Sequence, residues 1–93
     1  MSFKVFIIGD ALNYRMTRKD VYSTERFIKA LKQEFIPSLN NLELEQVADN
    51  LVTKAKYLSH QHENCELWLA LADDLKTIIQ QRKNAKHEAE NNL

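Results

Sequence analysis

The stretch SLNNLELEQVADNLVTKAKYLSHQHENCELWLALADDLKTIIQQRKNAKHEAENNL, residues 38–93, contains neither glycine nor proline. Glycine and proline end helices and build tight turns, hairpins and phosphate-cradling loops. What remains is rich in Leu, Ala, Glu, Lys and Gln, all good helix formers. Upstream stand the chain's one glycine, Gly9, and its one proline, Pro37. The fold class predicted from this pattern is all-α: a small three- to four-helix bundle with an antiparallel C-terminal helical hairpin.

Within the stretch, Asn40 is placed to cap a helix over 41–58, and Glu43 stands three residues on, as a capping box requires. Leu44, Val47, Ala48, Leu51, Ala55 and Leu58 make its apolar stripe. A second helix, over 64–86, carries Leu67, Trp68, Leu71, Leu75, Ile78 and Ile79. The two stripes are out of phase. Continuing the first would bring His62, Cys65, Leu69, Ala72 and Lys76 inward, whereas the strong apolar positions are Trp68, Leu71, Leu75 and Ile78. The slip falls across the polar segment 59–64, which predicts a connection and a hairpin rather than one long helix. Residues 87–93 are polar and are expected to fray.

Upstream of the stretch, Ser23 or Asp20 can cap a helix that runs to Ile36. Phe27, Ile28, Leu31 and Phe35 fall on one face of it. Pro37 disfavours helical geometry in the residue before it, so residues 20–58 read as helices with a break near Pro37. The N-terminal segment, 1–18, admits two readings. Phe3–Ile8 has strand-like composition, but no partner strand follows, so a strand would pair between two copies. A helix through Gly9 would instead place Phe3, Phe6, Ile7, Ala11 and Tyr14 on one face and Val5, Ile8 and Leu12 on another. A helix apolar on both faces is expected at the centre of a bundle.

The chain of 93 residues, 44% hydrophobic and 28% charged, is expected to be a single globular domain, 1–93, rather than a disordered segment. No apolar run approaches the roughly 18 residues of a membrane span, and no signal peptide or membrane association is expected. Cys65 is the single cysteine, so no internal disulfide can form, which points to the cytoplasm. The net charge is zero but unevenly spread: residues 1–32 hold seven Lys/Arg against three Asp/Glu, and residues 33–74 hold two against eight. A basic head and an acidic middle argue against broad nonspecific nucleic-acid binding and leave room for a partner that reads one pole.

Few residues suggest chemistry. His60, His62, Cys65 and Glu66 are metal-ligand types, but their spacing matches no standard zinc site, and they are expected to form a solvated junction. Cys65 with His62 lacks the glycine-built oxyanion loop that a thiol nucleophile uses. Asp73 and Asp74 are adjacent on a helix and so point apart, which suits surface charge better than acid–base catalysis. Ile7–Asp10 stands without the parallel strands and glycine-rich loop of a nucleotide fold. No enzyme activity, metal or cofactor is expected. The remaining cluster is the basic head: Tyr14, Arg15, Arg18, Lys19, Tyr22 and Arg26. Tyrosine and arginine are the common anchors of interfaces. These six are the expected contacts of a larger protein partner with an acidic surface, which the chain would mask or bridge as an adaptor, regulator, inhibitor or immunity-type factor. Two further readings stay open. One is a nucleic-acid-associated regulator using the same head, although the helix after Pro37 is acidic and unlike a recognition helix. The other is an oligomerisation module, in which the N-terminal segment forms a homodimer.

Overall fold

A computed structural model describes residues 2–17, 20–57 and 64–91. Four α-helices are present among them, with no strand: α1 (Phe3–Arg15), α2 (Val21–Ala30), α3 (Asn41–Ala55) and α4 (Cys65–Asn91). The all-α bundle expected from the sequence is what forms. The N-terminal segment is helical, not a dimerising strand. Its start is set by Ser2, whose Oγ accepts a hydrogen bond from the Val5 amide at 3.1 Å.

The chain direction alternates from helix to helix. Gly9 faces Asn50, and the Lys54 ammonium donates to the Asn13 side chain, so α1 and α3 run parallel. Thr24 meets Asn64, Phe27 meets Trp68 and Lys32 pairs with Asp74, so α2 and α4 also run parallel. The Cys65 thiol donates to the Ala55 carbonyl at 3.9 Å, and Arg82 donates to the Leu39 carbonyl at 2.6 Å. These contacts tie the start of α4 to the end of α3 and its far end to the start of α3, which makes the pair an antiparallel hairpin. The connection at 58–63, with Leu58, His60 and His62, lies outside the described residues. Helix α4 continues through Lys86 to Asn91 and contributes most to the 50 Å long axis of the molecule.

The core is the meeting of stripes from α1, α3 and α4, closed on the α2 side by the half-buried Phe27 and Ile28 and the buried Leu31. Leu44, Val47, Ala48, Leu51 and Ala55 of α3 are buried, together with Trp68, Leu71, Ala72 and Leu75 of α4. Leu67, Ile78 and Ile79 are half-buried at its border. From α1 come Val5, Ile8, Leu12 and Met16. This single stripe corrects the expectation of a central helix. Helix α1 lies at the edge of the bundle, packed on α3 and reaching α2 through Arg15, where a helix can bury one face only. Phe3, Phe6, Ile7 and Tyr14 therefore face outward.

The segment around Pro37 differs from the sequence reading in a second way. After Ala30 the helix widens into a π turn, Leu31–Phe35, in which the Ile36 amide bonds to the Leu31 carbonyl five residues back. A 3-10 turn, Ile36–Ser38, ends it. Pro37 supplies no N–H, and its ring crowds the carbonyl four residues earlier, which a regular α-turn would hold close. The wider turn shifts the helical phase. Phe35, expected in the core with Phe27 and Trp68, is half-exposed at 49%, and Ile36 fills the interior at 2%.

Asn40 then opens α3 with the expected capping box. Its Oδ1 accepts from the Glu43 amide at 2.8 Å, and Glu43 Oε1 accepts from the Asn40 amide at 3.0 Å. The bond from Asn40, aided by the Ser2 hydroxyl and the Lys4 ammonium, holds the Glu43 carboxyl below the ordinary carboxylate range. Lys4 also donates to the Ser38 carbonyl at 3.3 Å. The start of α1 is thus stitched to the start of α3 through polar groups.

Candidate functional site

The C-terminal end of α1 and the first turns of α2 enclose an open cleft of about 540 Å³. Arg15, Asp20, Tyr22, Ser23, Arg26, Phe27 and Ala30 line it. Asp20 caps α2: its Oδ1 accepts from the Tyr22 amide at 3.1 Å. That bond turns the one carboxylate of the cleft toward backbone. Ser23, the other cap candidate, has a different role. Its Oγ accepts a hydrogen bond from Arg15 Nη1 at 3.2 Å.

Both arginines are held over rings. The Arg15 guanidinium lies 5.4 Å from the centroid of Phe27, and that of Arg26 lies 5.7 Å from the centroid of Tyr22. Such stacking fixes the plane of the guanidinium while leaving its edge donors available. Arginine carries five N–H donors, and Arg15 spends one on Ser23. Neither guanidinium is neutralised by an ion pair among the described residues, where the salt bridge is Lys32 with Asp74. Phe27 continues inward, edge-on to the buried Trp68 at 6.1 Å and 62°. The cleft is therefore braced from the core: Trp68 supports Phe27, Phe27 carries Arg15, and Ser23 orients it.

Of the six residues singled out from sequence, the cleft brings together Arg15, Tyr22 and Arg26. Tyr14 is exposed on the outer face of α1 and does not line it. Arg18 and Lys19 lie outside the described residues. Sequence reasoning missed the parts played by Ser23 and Phe27, which read as a cap and as core. The signal for both was register: Ser23 and Phe27 are four residues apart on α2 and so share the face that looks at Arg15.

Other features are less suited to a ligand. The groove between α2 and α4, about 360 Å³, is crossed by the Lys32–Asp74 pair, so two of the four charges that line it already answer each other. Asp73 and Asp74 are both exposed; the Asp73 carbonyl accepts from Thr77 Oγ1, and Asp74 holds Lys32. Cys65 is half-buried at the hairpin end, and its histidine neighbours in sequence fall outside the described residues. No group of three or more metal-ligating side chains, and no helix long and apolar enough to cross a membrane, is present among the described residues. No protein-family model, curated protein or solved structure matches the chain, so the cleft stands on its own geometry.

Proposed function

We propose that the chain is a small protein-interaction module that binds an acidic segment of a larger protein in the cleft between α1 and α2. The observation that supports this reading is the pair of guanidiniums, Arg15 and Arg26, each pre-set over an aromatic ring on one concave surface. A pre-oriented arginine loses little freedom when it meets a carboxylate, and the bidentate pairing it can make is among the strongest polar contacts. Tyr22, which is 68% exposed, supplies apolar area beside the charges. Masking or bridging the partner's acidic surface is the action this chemistry suits.

The test is affinity capture from nuclease-treated lysate with the wild-type chain and with Arg15→Glu/Arg26→Glu. A stoichiometric protein retained by the first and lost by the second is the expected result. For the isolated pair, the double reversal should weaken binding by at least about thirtyfold, the effect of removing hot-spot contacts worth about 2 kcal/mol or more. Loss of all partners on nuclease treatment, with binding to single-stranded RNA or DNA that falls steeply with salt, would transfer the cleft to nucleic acid.

A further inference from the structure

The face of α1 turned to solvent is apolar too, beside the one that packs inward. Phe3 is 76% exposed, Phe6 62%, Ile7 46% and Tyr14 59%. A surface helix normally shows the reverse pattern, with charge outward. Phe3, Ile7, Asp10 and Tyr14 follow a 4-3-4 spacing, the seam along which one helix accepts another. Phe3, Phe6 and Ile7 stay exposed, because the inward stripe of Val5, Ile8, Leu12 and Met16 is what joins α1 to the described bundle.

We propose that this face is a self-association site, where α1 of a second copy of the chain docks along Phe3, Phe6 and Ile7. Three observations favour a second copy as the occupant. First, projecting rings and a groove stand side by side on one surface. Beside its projecting phenyl rings runs an apolar groove of about 330 Å³ between α1 and the π turn, with Ile7, Phe35 and Leu39 in its wall. A two-fold arrangement offers each copy's rings to the other's groove. Second, the charges on and beside the seam balance: Glu34 with Lys4 along the π turn, and Asp10 of the seam with Lys54 along α3. The face therefore presents no net charge to its own copy, and the whole chain has none either. Third, the exposed parts of Phe3, Phe6, Ile7 and Tyr14 add up to roughly 500 Å² at the usual ring areas, against about 800 Å² per partner in a standard interface. The flanking groove supplies more, which suits a reversible dimer of micromolar affinity.

Sedimentation equilibrium of the full chain tests this. The mass should rise from 10.9 kDa toward twice that value, with a midpoint on the order of 10–100 µM, the range of a small interface. Phe3→Glu/Ile7→Glu should remain monomeric throughout while keeping its helical circular dichroism. Asp10→Leu removes the one charge from the seam and should tighten the dimer by about fivefold or more. This gain is a readout that misfolding cannot imitate. A wild-type chain that stays monomeric at every concentration overturns the proposal. So does a dimer that persists in Phe3→Glu/Ile7→Glu, or an Asp10→Leu chain that associates no more tightly. A monomer that instead floats with neutral phosphatidylcholine vesicles overturns it too, and gives the face to a lipid surface.

Discussion

Gly9 is the residue where sequence and structure part most simply. Read in sequence, it could end a strand; in the structure it sits in mid-helix, opposite Asn50. Its backbone has no positive φ, so no conformational need for glycine exists there. A Cβ added at this position would lie 3.6 Å from the Asn50 side-chain nitrogen, an ordinary contact. Glycine in a helix interior costs about 1 kcal/mol relative to alanine. Gly9→Ala should therefore stabilise the domain by about 0.5–1 kcal/mol, and thermal unfolding should report it as a rise in Tm of roughly 2–8 °C. A fall in Tm would mean that α1 lies closer to α3 than the Gly9–Asn50 contact allows. Ser2, by contrast, was silent in the sequence reading. A lone serine before an apolar run becomes a helix cap only if the run is a helix, and that was the open question.

At the scale of elements, the start of α3 was legible in advance because its signal is local. Asn40 and Glu43 exchange bonds with each other's backbone, and no distant contact is needed to place them. The proton linkage of that box follows from its geometry. Glu43 titrates lower in the folded chain than in the unfolded one, chiefly through its bond to the Asn40 amide. The stabilisation it brings is complete above its unfolded value, near 4.5, and is lost as pH falls through the folded one. Glu43→Gln keeps a capping side chain but has nothing to titrate. The difference in Tm between wild type and Glu43→Gln should be positive at pH 7 and should close as the pH is lowered below 4.5, read by circular dichroism melts across that range. A difference that is constant with pH would detach Glu43 from the cap. The end of α2 was legible only in part, for the opposite reason. Pro37 announces a break, but whether the chain stops, kinks or widens depends on which side chain the core accepts. Ile36 joins the core while Phe35 stands beside Ile7 and Ile8 of α1, and that meeting of segments more than twenty-five residues apart is not local. The same holds for α1, whose two apolar faces were visible but whose position at the edge was set by the pairing of α3 with α4.

For the molecule as a whole, the consequence of that edge position is that two surfaces of different chemistry share one helix. The C-terminal end of α1 lends Arg15 to the polar cleft, and its N-terminal part carries Phe3, Phe6 and Ile7 on the seam. From Phe3 to Arg15 the helix rises about 18 Å. Substitutions further apart than about 10 Å with no shared partner act independently. The candidate cleft was half legible in sequence: Arg15, Tyr22 and Arg26 share a basic stretch, whereas the aromatic supports beneath them needed the register of α2 against α4. The seam was legible as apolar but not as exposed, since exposure belongs to the assembled bundle. Independence of the two surfaces gives a crossed expectation. Arg15→Glu/Arg26→Glu should abolish capture of the acidic partner and leave the sedimentation midpoint within about twofold, the precision of additivity at distant sites. Phe3→Glu/Ile7→Glu should abolish the dimer and leave the affinity of each chain for an immobilised partner at low density within the same twofold. A partner lost in both variants would show that the ligand bridges two copies, with one cleft on each side of the α1 seam. With the geometry reversed, dense immobilisation of the seam variant itself should then restore capture of the soluble partner, because neighbouring chains on the surface supply the second cleft that the dimer supplies in solution.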